Sequence, residues 1–303
     1  MEAHNLSTIP ERDTIPIVAP TPTPFDHNDK PDLQLLEENI LQWVGTGLSG
    51  FVIGSYGGEE FHLSQTEKTE IIKTVSQAHQ GQKFVIAGID TLSPTVAAMQ
   101  AEEYAKVGAD MVRVRIPKIP DKHGSESVVD YFEIVTRNSP VPVIPIHQPK
   151  LAMDVDATPE EIGEITNLEG IYAYIISLNF RWESRLPSLI NPQVQLWTCN
   201  GSLLMPGAMI GAEGACLFFA NWAPDLCRKV ISLVKSGNFN EAQIVQESLI
   251  HADYIGMSKG VAALKAGLNL LGYKATKPRK PTPELSTEEI KELKHAFQKA
   301  GVL

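Results

Sequence analysis

One rhythm constrains this chain more than any other feature. A short apolar run rich in β-branched residues is followed by an amphipathic stretch, then a Gly, then the next apolar run. The runs begin near Ile15 (IPIVAP), Gly50 (GFVIG), Phe84 (FVIAG), Met111 (MVRVR), Val143 (VIPIH), Gly170 (GIYAYII), Val194 (VQLWTC) and Gly214 (GACLFF). They lie roughly 20 to 35 residues apart, the length of one βα unit. Between them are segments such as LQLLEENILQWVGTG and PTVAAMQAEEYAKVGAD, and Gly47, Gly108 and Gly211 stand where a left-handed helix cap is expected. Junctions of the form helix–Gly–strand suit parallel strands joined by crossover helices. Eight such units predict an α/β fold, a (β/α)8 TIM barrel. An open doubly wound sheet is the runner-up, and the glycine-rich dinucleotide fingerprint it would carry after the first strand is absent.

The same reading divides the chain into a flexible lead-in at residues 1–13, a barrel over 14–224, and a helical C-terminal extension over 225–303 packed on the barrel. Helical stretches near 222–236, 239–272 and 286–300 exceed what one barrel helix needs. Ser286 followed by Glu289 fits a capping box for the last of them. Charge narrows the partners. With 26 Lys and Arg against 36 Asp and Glu the net charge is −10, and no dense basic tract exists to displace counterions from nucleic acid. No apolar window reaches the 18 residues of a spanning helix, so no membrane partner is expected. Cys199, Cys216 and Cys227 form neither an even disulfide set nor a closely spaced metal pair, which points to a reducing, cytoplasmic setting. No organic cofactor motif or metal motif is visible.

In a barrel of this kind reactive groups sit at the C-terminal ends of the strands. After strand two comes GSYGGEE, Gly54 to Glu60, whose glycines let backbone N–H groups of Ser55, Tyr56 and Gly57 turn towards an anion such as a carboxylate; a plain Gly-rich turn is the alternative. Strand four ends in MVRVRIPK. Arg113 and Arg115 share one face, and because buried Arg must be paired, structural ion pairs are their expected use. If both point into the barrel, the ligand is expected to be a dianion or to carry a second acidic group. Lys118 lies at the rim and is the better ligand candidate. Strand five ends in His147, which titrates near neutral pH and is a candidate acid or base, or else a hydrogen-bonded structural histidine. Strand six carries Tyr172 and Tyr174, either of which would be a phenolic proton donor or core filler. Asn200 after strand seven and Asn221 after strand eight complete the candidate ligand-binding set. Glu59, Glu60, His62 and His147 offer no spacing that demands a metal.

Several segments, in order, resemble the dihydrodipicolinate synthase / N-acetylneuraminate lyase family of barrels. They are PTPF (Pro22 to Phe25), GSYGGEE with LSQTEK (Gly54 to Lys68), FVIAGID (Phe84 to Asp90), GAD (Gly108 to Asp110), PVPVIPIHQP (Pro140 to Pro149), GAEGACLFFAN (Gly211 to Asn221) and KGVAALKAGLNLLG (Lys259 to Gly272). The match covers nearly the whole chain. The resemblance implies class I aldolase or synthase chemistry: a Lys on strand six forms a Schiff base with pyruvate or a related 2-oxo acid, a Tyr ending strand five relays protons, and the Gly-Thr/Ser loop binds the carboxylate. It also implies a homo-oligomer, dimer or tetramer. Here the Gly-Ile-Lys of strand six reads Gly170-Ile171-Tyr172, the strand-five Tyr-Asn reads Ile146-His147, and Pro-Tyr-Tyr after strand four reads Pro117-Lys118-Ile119, which removes the tyrosine exchanged across the tight dimer.

No Lys occurs between Lys150 and Lys229, so no register of strand six supplies the primary amine an imine needs. Three readings remain open. One is a lyase- or synthase-like enzyme on a 2-oxo acid or other small carboxylate, with Ser55 and Tyr56 binding it and Tyr172 and His147 as proton donor and base. Another is a catalytically silent paralogue that binds a metabolite or serves as a structural subunit. The third is an aldolase with its imine lysine relocated to Lys118.

Overall fold

The computed structural model describes residues 15–117, 126–147, 157–176 and 180–303. Eight parallel strands close into a barrel in sequence order: β1 (Ile17–Pro20), β2 (Gly50–Ile53), β3 (Phe84–Ile89), β4 (Met111–Arg115), β5 (Val143–His147), β6 (Ala173–Ile176), β7 (Gln195–Thr198) and β8 (Gly214–Cys216). The helices between them are α1 (Leu33–Val44), α2 (Gln65–Ala78), α3 (Pro94–Lys106), α4 (Glu126–Asn138), α5 (Pro159–Thr166), and the short α6 (Phe180–Glu183) and α7 (Leu204–Met209). After β8 come α8 (Pro224–Lys235), α9 (Phe239–Lys259), α10 (Val261–Leu270) and α11 (Thr287–Ala300). α8 lies against the ring, its Arg228 guanidinium donating to the carbonyls of Ile15 and Gly47, so it serves as the eighth barrel helix and α9–α11 form the extension. No helix among the described residues is long and apolar enough to cross a membrane.

Local sequence explains where the helices start and stop. Ser64 and Glu67 close a capping box on α2, Thr158 and Glu161 on α5, and Ser286 and Glu289 on α11. Gly108 and Gly211 hold the positive φ their places in the sequence predict, at 104° and 111°. Gly47 serves a different purpose. α1 has already ended at Gly45, and a Cβ on Gly47 would meet the Asp225 carboxylate at 2.0 Å, so close approach of α8 requires the glycine.

Alternation sorts each strand into two faces. Ile17, Phe51, Val85, Val112, Val143, Tyr174 and Leu196 pack outward on the helices. Val18, Val52, Phe84, Ile86, Met111, Ile144, Ile146, Ala173, Ile175, Trp197 and Cys216 fill the bore. Burying one such large side chain contributes about 1.5–3 kcal/mol. Register carries one departure from the sequence-based expectation. The sixth run was expected to start near Gly170, but Gly170 sits in a turn at φ 90°, Ile171 makes only a single bridge to Val143, and the strand begins at Ala173.

Candidate active site at the barrel mouth

The C-terminal mouth is built most distinctively by the ends of β2, β3 and β4. Past Gly54 the chain makes a 3-10 turn over Tyr56–Gly58, and Glu59 takes a left-handed conformation at φ 64°, sparsely populated for a residue with a side chain. That bend sends two consecutive carboxylates in opposite directions. Glu59 turns towards the C-terminal helices, pairing with Lys265 Nζ at 2.6 Å and accepting the Arg279 backbone N–H at 2.8 Å. Lys265 also donates to the Lys277 carbonyl and stands 4.4 Å over the Phe25 ring; burial brings its ammonium down to about 8, against the pull of Glu59. Glu59 therefore ties the loop to α10 and the connector behind it.

Glu60 turns the other way, towards β4. Arg113 Nη2 donates to its Oε2 at 3.1 Å and to the Gly54 carbonyl at 3.2 Å. Arg115 Nη2 donates to Oε1, and Arg115 Nε pairs with Asp90 Oδ2 at 3.1 Å. Both arginines share the inward face of β4 with Met111. Room for them comes from Gly54 and Gly88: a Cβ on Gly88 would lie 2.6 Å from Arg113 Nη2. The expectation of ion pairs matches this geometry, and the pairs sit inside the bore. Lys68, in the first turns of α2, reaches the same cluster, its Cδ 3.7 Å from where a Cβ on Gly54 would be. Burial lowers its ammonium; Arg113 and Arg115 act in the same sense, Glu60 and Asp90 against it.

Of the sequence-predicted residues, Ser55, Gly57 and Asn221 gather around Pro20 at the end of β1. Ser55 is buried with its hydroxyl donating to the Val52 carbonyl at 3.4 Å, and Gly57 lies against the Pro20 ring. Asn221 Nδ2 donates to the carbonyls of Pro20 and Phe218, so this side chain clamps β1 to the turn after β8. Tyr56 is exposed and leans on Phe218, with its hydroxyl beside Gly260. Asn200 is half-buried just beyond β7. Lys118 lies outside the described residues.

Two of the candidates, Tyr172 and His147, stand away from the inward C-terminal end of the bore. Tyr172 precedes β6, so it stands at the N-terminal end of the barrel, with its ring edge-on to Trp197; burial and then Glu213 raise its phenol to about 12. The end at which this fold does chemistry is the other one. His147 alternates with the inward Ile144 and Ile146 and so faces the helices, buried, with its imidazole depressed to about 4 by desolvation. It is neutral at physiological pH and is turned away from the bore. The inward position near the C-terminal end of β6 is Ile175, in register with Ile146 of β5 and Trp197 of β7. Glu60, Asp90 and Lys68 were not recognised as one cluster with the arginines. The signal for it was available: two inward arginines beside two inward glycines on the neighbouring strands. Across the bore, Cys199 and Cys216 meet; the hydrogen bond with Cys199 and burial raise the Cys216 thiol well above its ordinary value, which keeps it protonated.

Eight parallel strands closed in order, with helices between them, define a (β/α)8 barrel, and comparison with known proteins narrows the class. The chain belongs to the dihydrodipicolinate synthetase family, which it matches over residues 14–300. It is 24% identical over 290 residues to the probable mitochondrial 4-hydroxy-2-oxoglutarate aldolase of Emericella nidulans, covering 94% of each chain. Similarity to the 4-hydroxy-tetrahydrodipicolinate synthase of Brachyspira hyodysenteriae is also 24% over 290 residues, covering 92% of this chain and 95% of that one. The crystal structure of dihydrodipicolinate synthase from Aquifex aeolicus superposes with a TM-score of 0.85 at 22% identity, over 95% of this chain and 98% of the other.

Proposed function

We propose that this chain is a lyase- or synthase-type enzyme of the family that acts on a 2-oxo acid or another small carboxylate without an imine on strand six. The observation that carries the reading is the inward cluster of Arg113, Arg115 and Glu60 at the C-terminal mouth, in a barrel whose β6 reads Ala-Tyr-Ile-Ile with Ile175 inward. Relatives bearing aldolase and synthase names support the reaction type, carbon–carbon bond making or breaking next to a carbonyl. Where the family holds a strand-six lysine, this bore is apolar, so charge at the reacting carbonyl would have to be stabilised from the β2–β4 side. The test is to incubate the purified chain with a panel of 4-hydroxy-2-oxo acids and follow pyruvate release with a lactate dehydrogenase couple. Turnover that survives borohydride treatment in the presence of pyruvate is expected. Loss of activity on that treatment would overturn the reading, since it would reveal an imine.

The catalytically silent paralogue is the second reading, favoured by one specific observation: Ile146 and Ile175, side by side in register at the C-terminal end of the bore, are the apolar fillers that drift in a closed barrel would leave. Carboxylate binding without turnover of any panel member would establish it. The relocated-amine reading rests on Lys118. A homo-oligomer, dimer or tetramer, goes with family membership and is measured by light scattering.

A further inference from the structure

We infer that the β2–β4 side of the mouth holds a binding site for the single carboxylate group of a small organic acid, formed by Arg113 inside the bore and Lys68 above it. This rests on the functional reading for its class of ligand, and it moves the anchoring group away from the Ser55–Tyr56 loop.

Unused donors come first. Arg113 is 1% exposed, and its Nε and Nη1 atoms have no hydrogen-bond acceptor among the described residues, although Nη2 is fully engaged by Gly54 and Glu60. A buried guanidinium with N–H groups unmet is costly, so Arg113 calls for an acceptor that the described residues do not supply. Lys68 adds a second cation whose amine has no acceptor in hydrogen-bonding reach among the described residues. Arg115, by contrast, is held by both Glu60 and Asp90. Ser55, the residue first expected to bind a carboxylate, has its hydroxyl directed at the Val52 carbonyl.

Charge then sets the class of anion. Inward arginines alone would call for a dianion, as the sequence suggested. Among the described residues three cations, Arg113, Arg115 and Lys68, face two carboxylates, Glu60 and Asp90, and one positive charge is left over in a largely desolvated site. A monoanion neutralises it; a phosphate dianion overshoots. Along the wall from Arg115, its register partner Ile146 on β5 and then Ile175 on β6 present hydrocarbon. A ligand spanning the mouth is thus acidic at one end and apolar at the other, as a short-chain 2-oxo acid is.

Isothermal titration calorimetry of the full chain at low salt tests this, with pyruvate as the probe, methyl pyruvate as its uncharged counterpart and inorganic phosphate as the competing anion. Expected are a millimolar affinity for pyruvate, no heat from methyl pyruvate and weaker binding of phosphate. Lys68→Met should weaken pyruvate about fivefold or more and Lys68→Arg should hardly change it. Arg113→Met paired with Glu60→Gln, which removes one charge of each sign so that no lone ion is left buried, should abolish binding. Unchanged affinity in Lys68→Met and in the paired variant overturns the inference, as does equal binding of methyl pyruvate, tighter binding of phosphate, or no binding of pyruvate at all. If 2-oxo acids turn over with affinities these variants do not touch, the site is wrong and the functional reading stands. If binding tracks the variants and nothing turns over, the site stands and the enzyme reading falls.

Discussion

Replacing Glu60 by Ala tests the ion network in the bore. Its carboxylate accepts from Arg113 and Arg115, and all three side chains are buried. Without it, two guanidinium groups remain in the mouth, and only Arg115 keeps a carboxylate, that of Asp90, whose side chain is 27% exposed. Removing one partner of a buried pair costs about 3–5 kcal/mol, because the charge left behind stays desolvated. Unfolding entropy is roughly 2.1 cal/mol/K per residue, or about 0.6 kcal/mol/K for a chain of 303 residues. The melting temperature of Glu60→Ala should therefore fall by about 5–8 °C, read by scanning calorimetry at low salt. Adding Arg113→Met to it should recover part of that loss, since the two sites share one interaction and their effects do not add. A Glu60→Ala protein melting within about 1 °C of the parent would refute the reasoning, because water would then be reaching both guanidinium groups and the network would be worth no more than a surface pair.

Other outcomes follow from where His147 and Tyr172 stand. His147 is held at about 4 by burial against about 6.5 in an unfolded chain, so the unfolded state binds more protons between those values. Stability present above the unfolded value is lost as pH falls through that window, on the order of 3 kcal/mol, and urea midpoints of His147→Gln should be flatter there than those of the parent; an identical slope would remove His147 from the account. Tyr172→Phe should leave any turnover intact, and a large loss in kcat would return the phenol to the chemistry. Intact-mass spectrometry after pyruvate and borohydride should show no adduct; a stable adduct mapped to Lys118 or Lys68 would reinstate imine chemistry from another wall. Ile175→Lys should create a borohydride-trappable amine at the C-terminal end of the bore, next to Ile146, while Tyr172→Lys should not, and the reverse pattern would mean that the register of β6 is misplaced.

Much of the barrel was legible because it depends on signals that repeat. Eight β-branched runs at βα spacing, Gly108 and Gly211 at positive φ, and the Ser286–Glu289 cap each express a local preference that tertiary structure leaves in place. The site was less legible, and strand six shows why. GIYAYII is apolar throughout, as strands buried on both faces are, so nothing in the run marks which residue enters the ladder first. The start is decided by Gly170, whose turn delays pairing until Ala173. That delay places Tyr172 before the strand, at the N-terminal end of the barrel, and Ile175 near the C-terminal end. His147 misled for the same reason: one residue along a strand exchanges bore for helix layer. The ion cluster was hidden differently. Arg113 and Glu60 lie 53 residues apart and meet only once the barrel closes, with room supplied by glycines on two other strands. Inward glycines at Gly54 and Gly88 beside inward arginines make a polar cluster at this mouth among the described residues. The proposed carboxylate chemistry is therefore to be tested where β2, β3 and β4 end, at the arginines that these glycines make room for.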